Sequence, residues 1–426
     1  MGPPTVYSES ASPEIEPNEQ ILADLIDDED GESISGDMST VSITSSILAY
    51  RKHYGRTYEN IQSTEYWAPN DAQQNHGLDL THVGLFYTLD EKLFLAPIEE
   101  PKRVLDIGTG TGIWAIDFGD EYPEAEVTGT DLSPIQPVVV PPNVKFVIED
   151  CLLDWTWPKD HFDFIHIRAM YGSVPDWVDL YRKAYTHLAP GGWIQDLEMD
   201  VKLQSDHVKL PLDHVFNVWA NAFYTAGEKR GRSFGVCKGH TMRDNLNAAG
   251  FVDIVEKKIK APIHLWASDE RLKRAGELFL EALEQSVEGY ANLLLMDLLG
   301  WYKEEVQVLL GLFRKEMKDK SKCAWVETTV TPARPGSERF ALTHNPWTRP
   351  GRPQRDKSLR KVYQEKKTAV DHTPQSELRL LGVMLDISPT PAFSLIRASQ
   401  NHNLRYNLVP IPVKAKLYPI PVYQNL

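Results

Sequence analysis

Val104-Leu-Asp-Ile-Gly-Thr-Gly-Thr-Gly112 is the stretch on which the fold turns. With Arg103 it opens as a short apolar run, residues 103–107, carrying one acid, Asp106, near its carboxyl end. An apolar run of this length stopped by glycine reads as a buried strand. Gly108, Gly110 and Gly112 then let the backbone turn sharply and approach a ligand where any Cβ would clash. Residues 113–119 read as the first turns of a helix. The spacing is G-x-G-x-G, and Ile113 stands where a dinucleotide fingerprint needs its third glycine, which argues against a nicotinamide dinucleotide.

Working outward, the same alternation continues. Strands are predicted at residues 126–130, 144–148, 162–167 and 193–197, with a helix over 178–188 and the turn Pro190-Gly191-Gly192 before the fifth strand. Helices are predicted at 212–228, 241–249, 269–287 and 303–317, and strands at 251–257 and 324–330. Short strands alternating with helices form a sheet covered on both faces. The expected fold class is α/β, a doubly wound, Rossmann-like, mostly parallel sheet of seven strands with a helical cap.

Charge divides the chain. The first 50 residues hold no Lys or Arg, and 11 acids fall between Glu9 and Asp37. From Pro332 to Leu426 there are 15 basic against 6 acidic residues and 12 prolines. The expected organisation is a disordered acidic segment 1–48, N-terminal lid helices 49–98, a catalytic domain 99–331 with its cap, and a basic, poorly ordered tail 332–426. The tail reads equally as a genuine extension or as a gene-model artefact. The net charge of -15 disfavours a direct hold on nucleic acid or anionic lipid. Cys151, Cys237 and Cys323 are widely spaced, which excludes a disulfide framework and a cysteine zinc site, so no metal is expected. No run nears the roughly 18 apolar residues of a membrane span. The expected setting is cytoplasmic or nuclear.

Acids mark the strand ends beside the glycine loop. Asp131 ends the second strand, where a carboxylate grips ribose hydroxyls, and Glu149 and Asp150 follow the third, within reach of an adenine amino group. Asp106 would repel a pyrophosphate. An adenosine without phosphate satisfies this pattern, and S-adenosyl-L-methionine is one whose sulfonium carboxylates also favour.

The run Asp106 to Gly112, with Asp131, Asp150 and Pro190-Gly191-Gly192, resembles the class I methyltransferases. Tyr54-Gly-Arg-Thr-Tyr58, Glu65-Tyr-Trp-Ala-Pro-Asn-Asp71, Leu93-Phe-Leu-Ala-Pro-Ile98, His166-Ile-Arg168 and Gly192-Trp193-Ile194 narrow the resemblance to the fungal LaeA-like methyltransferases, named for a regulator of secondary metabolism. It covers roughly residues 50 to 330. It implies cofactor contacts from Asp106, Gly108, Thr109, Gly110 and Gly112, from Asp131 and Leu132 at the ribose, and from Asp150 and Cys151 near the adenine. It also implies a lid that includes Tyr58, Tyr66 and Trp67. The chain departs from the family at Ala72-Gln-Gln-Asn-His-Gly77, where a more charged linking stretch is usual.

On the substrate side, His166 and Arg168 follow the fourth strand on one face, with Ile167 opposite, and Glu198 ends the fifth. They are the candidate catalytic groups. The expected partner is a small-molecule acceptor. A regulatory role beside proteins of a nuclear complex is the rival reading.

Overall fold

The computed structural model describes residues 50–59 and 66–336, with the backbone of three short strands farther out. In chain order the strands are β1 (Thr40–Ser42), β2 (Arg51–His53), β3 (Arg56–Tyr58), β4 (Arg103–Ile107), β5 (Glu126–Asp131), β6 (Val144–Ile148), β7 (Phe162–Arg168), β8 (Leu188–Gln204), β9 (Phe251–Val252), β10 (Lys257–Pro262), β11 (Trp325–Pro335), β12 (Ser394–Ile396) and β13 (Tyr406–Asn407). The α-helices are α1 (Ala72–Thr88), α2 (Ile113–Glu121), α3 (Trp177–His187), α4 (Val215–Arg230), α5 (Thr241–Ala248), α6 (Glu270–Ala291) and α7 (Lys303–Met317). The segment 1–48 and the tail after residue 336, expected to be disordered and poorly ordered, lie outside the described residues, those strand fragments apart.

The sheet runs β10-β11-β8-β7-β4-β5-β6-β13, with β9 also on β11. The five strands from β8 to β6 are parallel, and β11 enters antiparallel between β8 and β10. Six of the seven expected strands are present, the one expected at 251–257 is broken into β9 and β10, of which β10 runs on to Pro262, and β13 adds a short pairing at the side. From β4 the chain builds outward to β5 and β6, then returns to the other flank of β4 for β7 and β8. Ligands bind at the carboxyl edge beside such a switch point.

Alternation along the strands builds two layers. Leu105, Ile107, Ile165, Ile167 and Ile194 pack with Leu180 and Tyr181 of α3 and Leu246 of α5. Val104, Val127, Phe146 and Phe164 pack with Trp114 and Phe118 of α2 on the other face. Buried on both faces, these strands read as nearly continuous apolar runs. A third cluster joins α4, α6 and α7 to the far end of β8, where Leu203 is buried. This is the helical cap. Among the described residues no helix is long and apolar enough to cross a membrane.

Three expectations need correction. The described residues between 49 and 98 hold a hairpin, β2–β3, and one long helix, α1, in place of a set of lid helices. Tyr54 and Gly55 both have positive φ, 50° and 75°, which closes a two-residue turn of the kind that suits paired strands. The fifth strand continues past Leu197 to Gln204, because Met199, Val201 and Leu203 keep an apolar period of two that the cap covers. The last strand also runs to Pro335, four residues beyond the expected domain boundary at 331.

Helix α1 lies directly on α6, and its glycines permit it. A Cβ on Gly77 would meet Ser286 Oγ at 2.5 Å and the Ala282 carbonyl at 3.3 Å, and one on Gly84 would meet the Phe279 ring at 2.9 Å. The seven-residue spacing puts both glycines on one stripe of α1.

Candidate active site

A cavity open to solvent on one side lies over the carboxyl ends of β4, β5, β6 and β7. Its floor is the glycine loop. Gly110 has φ +57°, and a Cβ there would find only Leu78, at 3.8 Å, so the missing side chain leaves open space on the cavity side. The loop is pinned from both neighbours: Thr109 N–H donates to the Thr130 carbonyl at 2.9 Å, and Gly110 N–H donates to Asp131 Oδ2 at 2.8 Å.

Asp131 also accepts from Ser133 N–H through Oδ1 at 2.9 Å. Desolvation pushes its carboxyl up to about 6, against backbone hydrogen bonds that lower it. Asp150 accepts from Leu152 N–H at 2.9 Å, and Cys151 beside it is a thiol that burial drives well up, which makes it inert. Gly108, Thr109, Gly110, Asp131, Leu132, Asp150, Cys151 and Arg168 all line the cavity. The floor without a side chain, the acids at β5 and β6, and the apolar Leu132, Ile135 and Leu152 between them fit an adenosine.

Other expected site residues lie elsewhere. Asp106 is buried beneath the loop, accepting from Thr109 Oγ1 at 2.6 Å and from the His166 Nδ1–H at 2.7 Å. His166 stacks on Trp114 with ring centres 3.7 Å apart and planes 6° apart, is 1% exposed, and is held neutral by its burial. Gly112 begins α2 with φ +79°, and its missing Cβ makes room for the Phe146 ring, 2.4 Å from where that atom would stand. These three support the floor from below. Glu198 is fully buried and turns both oxygens to backbone, accepting from Met170 N–H at 2.7 Å and Tyr171 N–H at 2.9 Å. Burial and the neighbouring Asp196 drive its carboxyl far up. It holds the segment after β7 in which Ala169 has φ +55°, a left-handed conformation that costs an alanine energy.

Tyr58 is buried and donates to the Gly289 carbonyl at 3.4 Å. Trp67 donates to the Tyr171 carbonyl at 3.3 Å and lies against Phe234 and Tyr290. Neither lines the first cavity; of the expected lid residues only Tyr66 does.

Trp67 instead walls a second chamber between the sheet and the cap. Trp219, Phe223, Phe279 and Met199 make most of its lining apolar, and Asp200 is its carboxylate. Asp200 accepts from Tyr224 Oη–H at 2.6 Å, and burial raises its carboxyl. Leu78, Thr81 and Ala169 line both cavities, so the two adjoin at the end of β7.

Sequence reasoning missed a polar chain from the hairpin into the first cavity. Thr57 Oγ1–H donates to Asn70 Oδ1 at 2.9 Å, Asn70 Nδ2–H to Ser133 Oγ at 3.4 Å, and Ser133 Oγ–H to Glu59 Oε2 at 2.5 Å. The available signal was Leu132-Ser133-Pro134 after Asp131. His82 was missed as well. Its ring lines the cavity, and only the packing of α1 on the sheet brings it there.

Comparison with known proteins agrees with this geometry. Residues 85–255 match the model of a family described as a methyltransferase domain. The chain is 38% identical over 303 residues to the methyltransferase pytC of Aspergillus terreus, covering 71% of this chain and 91% of that one. It is 35% identical over 287 residues to the secondary metabolism regulator LAE1 of Cochliobolus heterostrophus, covering 66% and 93%. It is 32% identical over 274 residues to the protein-methionine methyltransferase laeA of Emericella nidulans, covering 64% and 72%.

Proposed function

From the premise that this chain belongs to the fungal LaeA-like family of S-adenosyl-L-methionine-dependent methyltransferases, we propose that it methylates a small, largely apolar acceptor of secondary metabolism. The observation that carries this reading is the second chamber, which adjoins the cofactor cavity and is walled by aromatic and aliphatic side chains. When bound, S-adenosyl-L-methionine supplies an electrophilic methyl group.

The residues of the chain supply position, dryness and a proton acceptor. Asp131 and the glycine loop hold the adenosine end, with Asp150 at the base. Trp219, Phe223 and Phe279 exclude water and orient an apolar acceptor, so that proximity and alignment lower the barrier. Asp200, with a carboxyl raised by burial, takes the proton from an acceptor hydroxyl at its free carboxylate electrons while Tyr224 holds its Oδ1. Glu198 serves by fixing the Ala169 turn between the two spaces.

The relatives named as regulators, and the one named as a protein-methionine methyltransferase, favour a second reading. In it the chamber receives a peptide side chain, a thioether being as apolar as the walls require, and the protein works with regulatory partners in the nucleus. One experiment separates the two. The purified protein is given methyl-labelled cofactor together with a fungal metabolite extract or with fungal nuclear protein. Label in the organic phase supports the small-molecule reading. Label only in polypeptide supports the second, and no transfer to either sinks both.

A further inference from the structure

The cofactor cavity is electrically lopsided. Acids stand at the ends of β5 and β6, and two guanidiniums also line the cavity: Arg168 at the end of β7 across the glycine loop, and Arg232 just past α4, which is turned to the Ser173 carbonyl. The Arg168 Nη1–H donates to His82 Nδ1 at 2.9 Å. A guanidinium can only donate, so His82 accepts through Nδ1, carries its proton on Nε2, and gives it to Asp117 Oδ2 at 3.0 Å. The His82 and Asp117 side chains are 1% and 4% exposed. Three elements, β7, α1 and α2, thus fix the direction of one cation that lines the cavity. Burying a histidine and an acid behind it is costly, and such outer partners orient a group whose direction matters.

An adenosine with its ribose at Asp131 and its base toward Asp150 directs its remaining arm across the loop, toward β7. On S-adenosyl-L-methionine that arm ends in an amino acid, whose α-carboxylate is the molecule's anionic group. Guanidinium and carboxylate are matched planar forks. We propose that Arg168, oriented by His82 and Asp117, binds the α-carboxylate of the cofactor's methionine arm. Arg168 is then a cofactor-binding residue and has no part in proton transfer. This rests on the S-adenosyl-L-methionine reading of the cavity.

Two ligands separate the inference from that reading. S-adenosylhomocysteine carries the amino-acid arm, and 5′-methylthioadenosine has the same adenosine and thioether without it. Calorimetry on the full chain is expected to show that Arg168→Ala weakens S-adenosylhomocysteine about tenfold to a hundredfold and leaves methylthioadenosine within about twofold. Retained methylthioadenosine binding also reports that the variant is folded. His82→Phe, which fills the same space without an acceptor, should give a smaller loss confined to S-adenosylhomocysteine. Equal weakening of both ligands by Arg168→Ala, or of neither, would overturn the inference. A natural chain that binds neither ligand would overturn the cofactor reading first, and this one with it.

Discussion

Asp131 illustrates how far a single residue can be read and where its consequences lead. Its position after the second strand was legible because parallel strands deliver their last residues to one edge, and ribose recognition needs a carboxylate there. Its burial was not legible, and burial sets its titration. A carboxyl raised from 3.8 to about 6 in the folded chain makes folding most favourable when it is protonated, and that contribution is lost as pH rises through about 6. Cofactor binding runs the other way, because ribose hydroxyls donate to the ionised form. We expect S-adenosyl-L-methionine affinity, measured by calorimetry, to climb between about pH 5 and pH 7 and then level off. Asp131→Asn should be weaker at pH 7 and flat across the range; an unchanged slope would remove Asp131 from the ribose. Asp200 was not singled out from sequence, since it lies three residues beyond the expected end of its strand. Asp200→Asn should slow methyl transfer to a hydroxyl acceptor on the order of a hundredfold with cofactor affinity intact. An unaltered rate would mean that alignment alone suffices.

Among the elements, the glycine loop and α1 differ in what sequence reveals. The loop is local: eleven consecutive residues, 103–113, contain the strand, the turn and the start of the helix, so backbone needs and residue types can be matched directly. Helix α1 takes its meaning from partners far along the chain. His82 reaches Arg168, 86 residues away, and Gln74 reaches Ser286, 212 away. No local pattern encodes those meetings. The pair Gly77 and Gly84 was nonetheless available, since glycines on one helical stripe announce a close neighbour. Gly84→Val should force the Phe279 ring aside and cost about 1–3 kcal/mol, seen as a lower thermal midpoint. A midpoint that does not move would show that α1 and α6 part easily. The hairpin went unread for another reason: Tyr54 adopts a positive φ that tyrosine rarely takes, and its neighbours carry no strong alternation.

At the scale of the molecule, the doubly wound sheet, its cap and the placement of the cofactor edge followed from alternating strands and helices, while the second chamber did not. It is lined from α1, β8, β11, α4 and α6, none of which forms a ligand site alone. The charge split between the body and the basic end suggests a functional boundary after β11. Among the described residues, those lining the cofactor cavity fall between 66 and 232. Removing residues 337–426 should therefore leave S-adenosylhomocysteine affinity within about twofold; a larger loss, read by calorimetry, would give that segment a part in the site. The cofactor cavity itself is the centre of the account, and Gly110 is its most exposed test, because a branched side chain there enters the open floor and strains a left-handed backbone. Calorimetric titration of the natural chain and of Gly110→Val with S-adenosyl-L-methionine should give binding in the first and none in the second, with both folded by thermal melt. Equal binding by the two, or none by the natural chain, would contradict it.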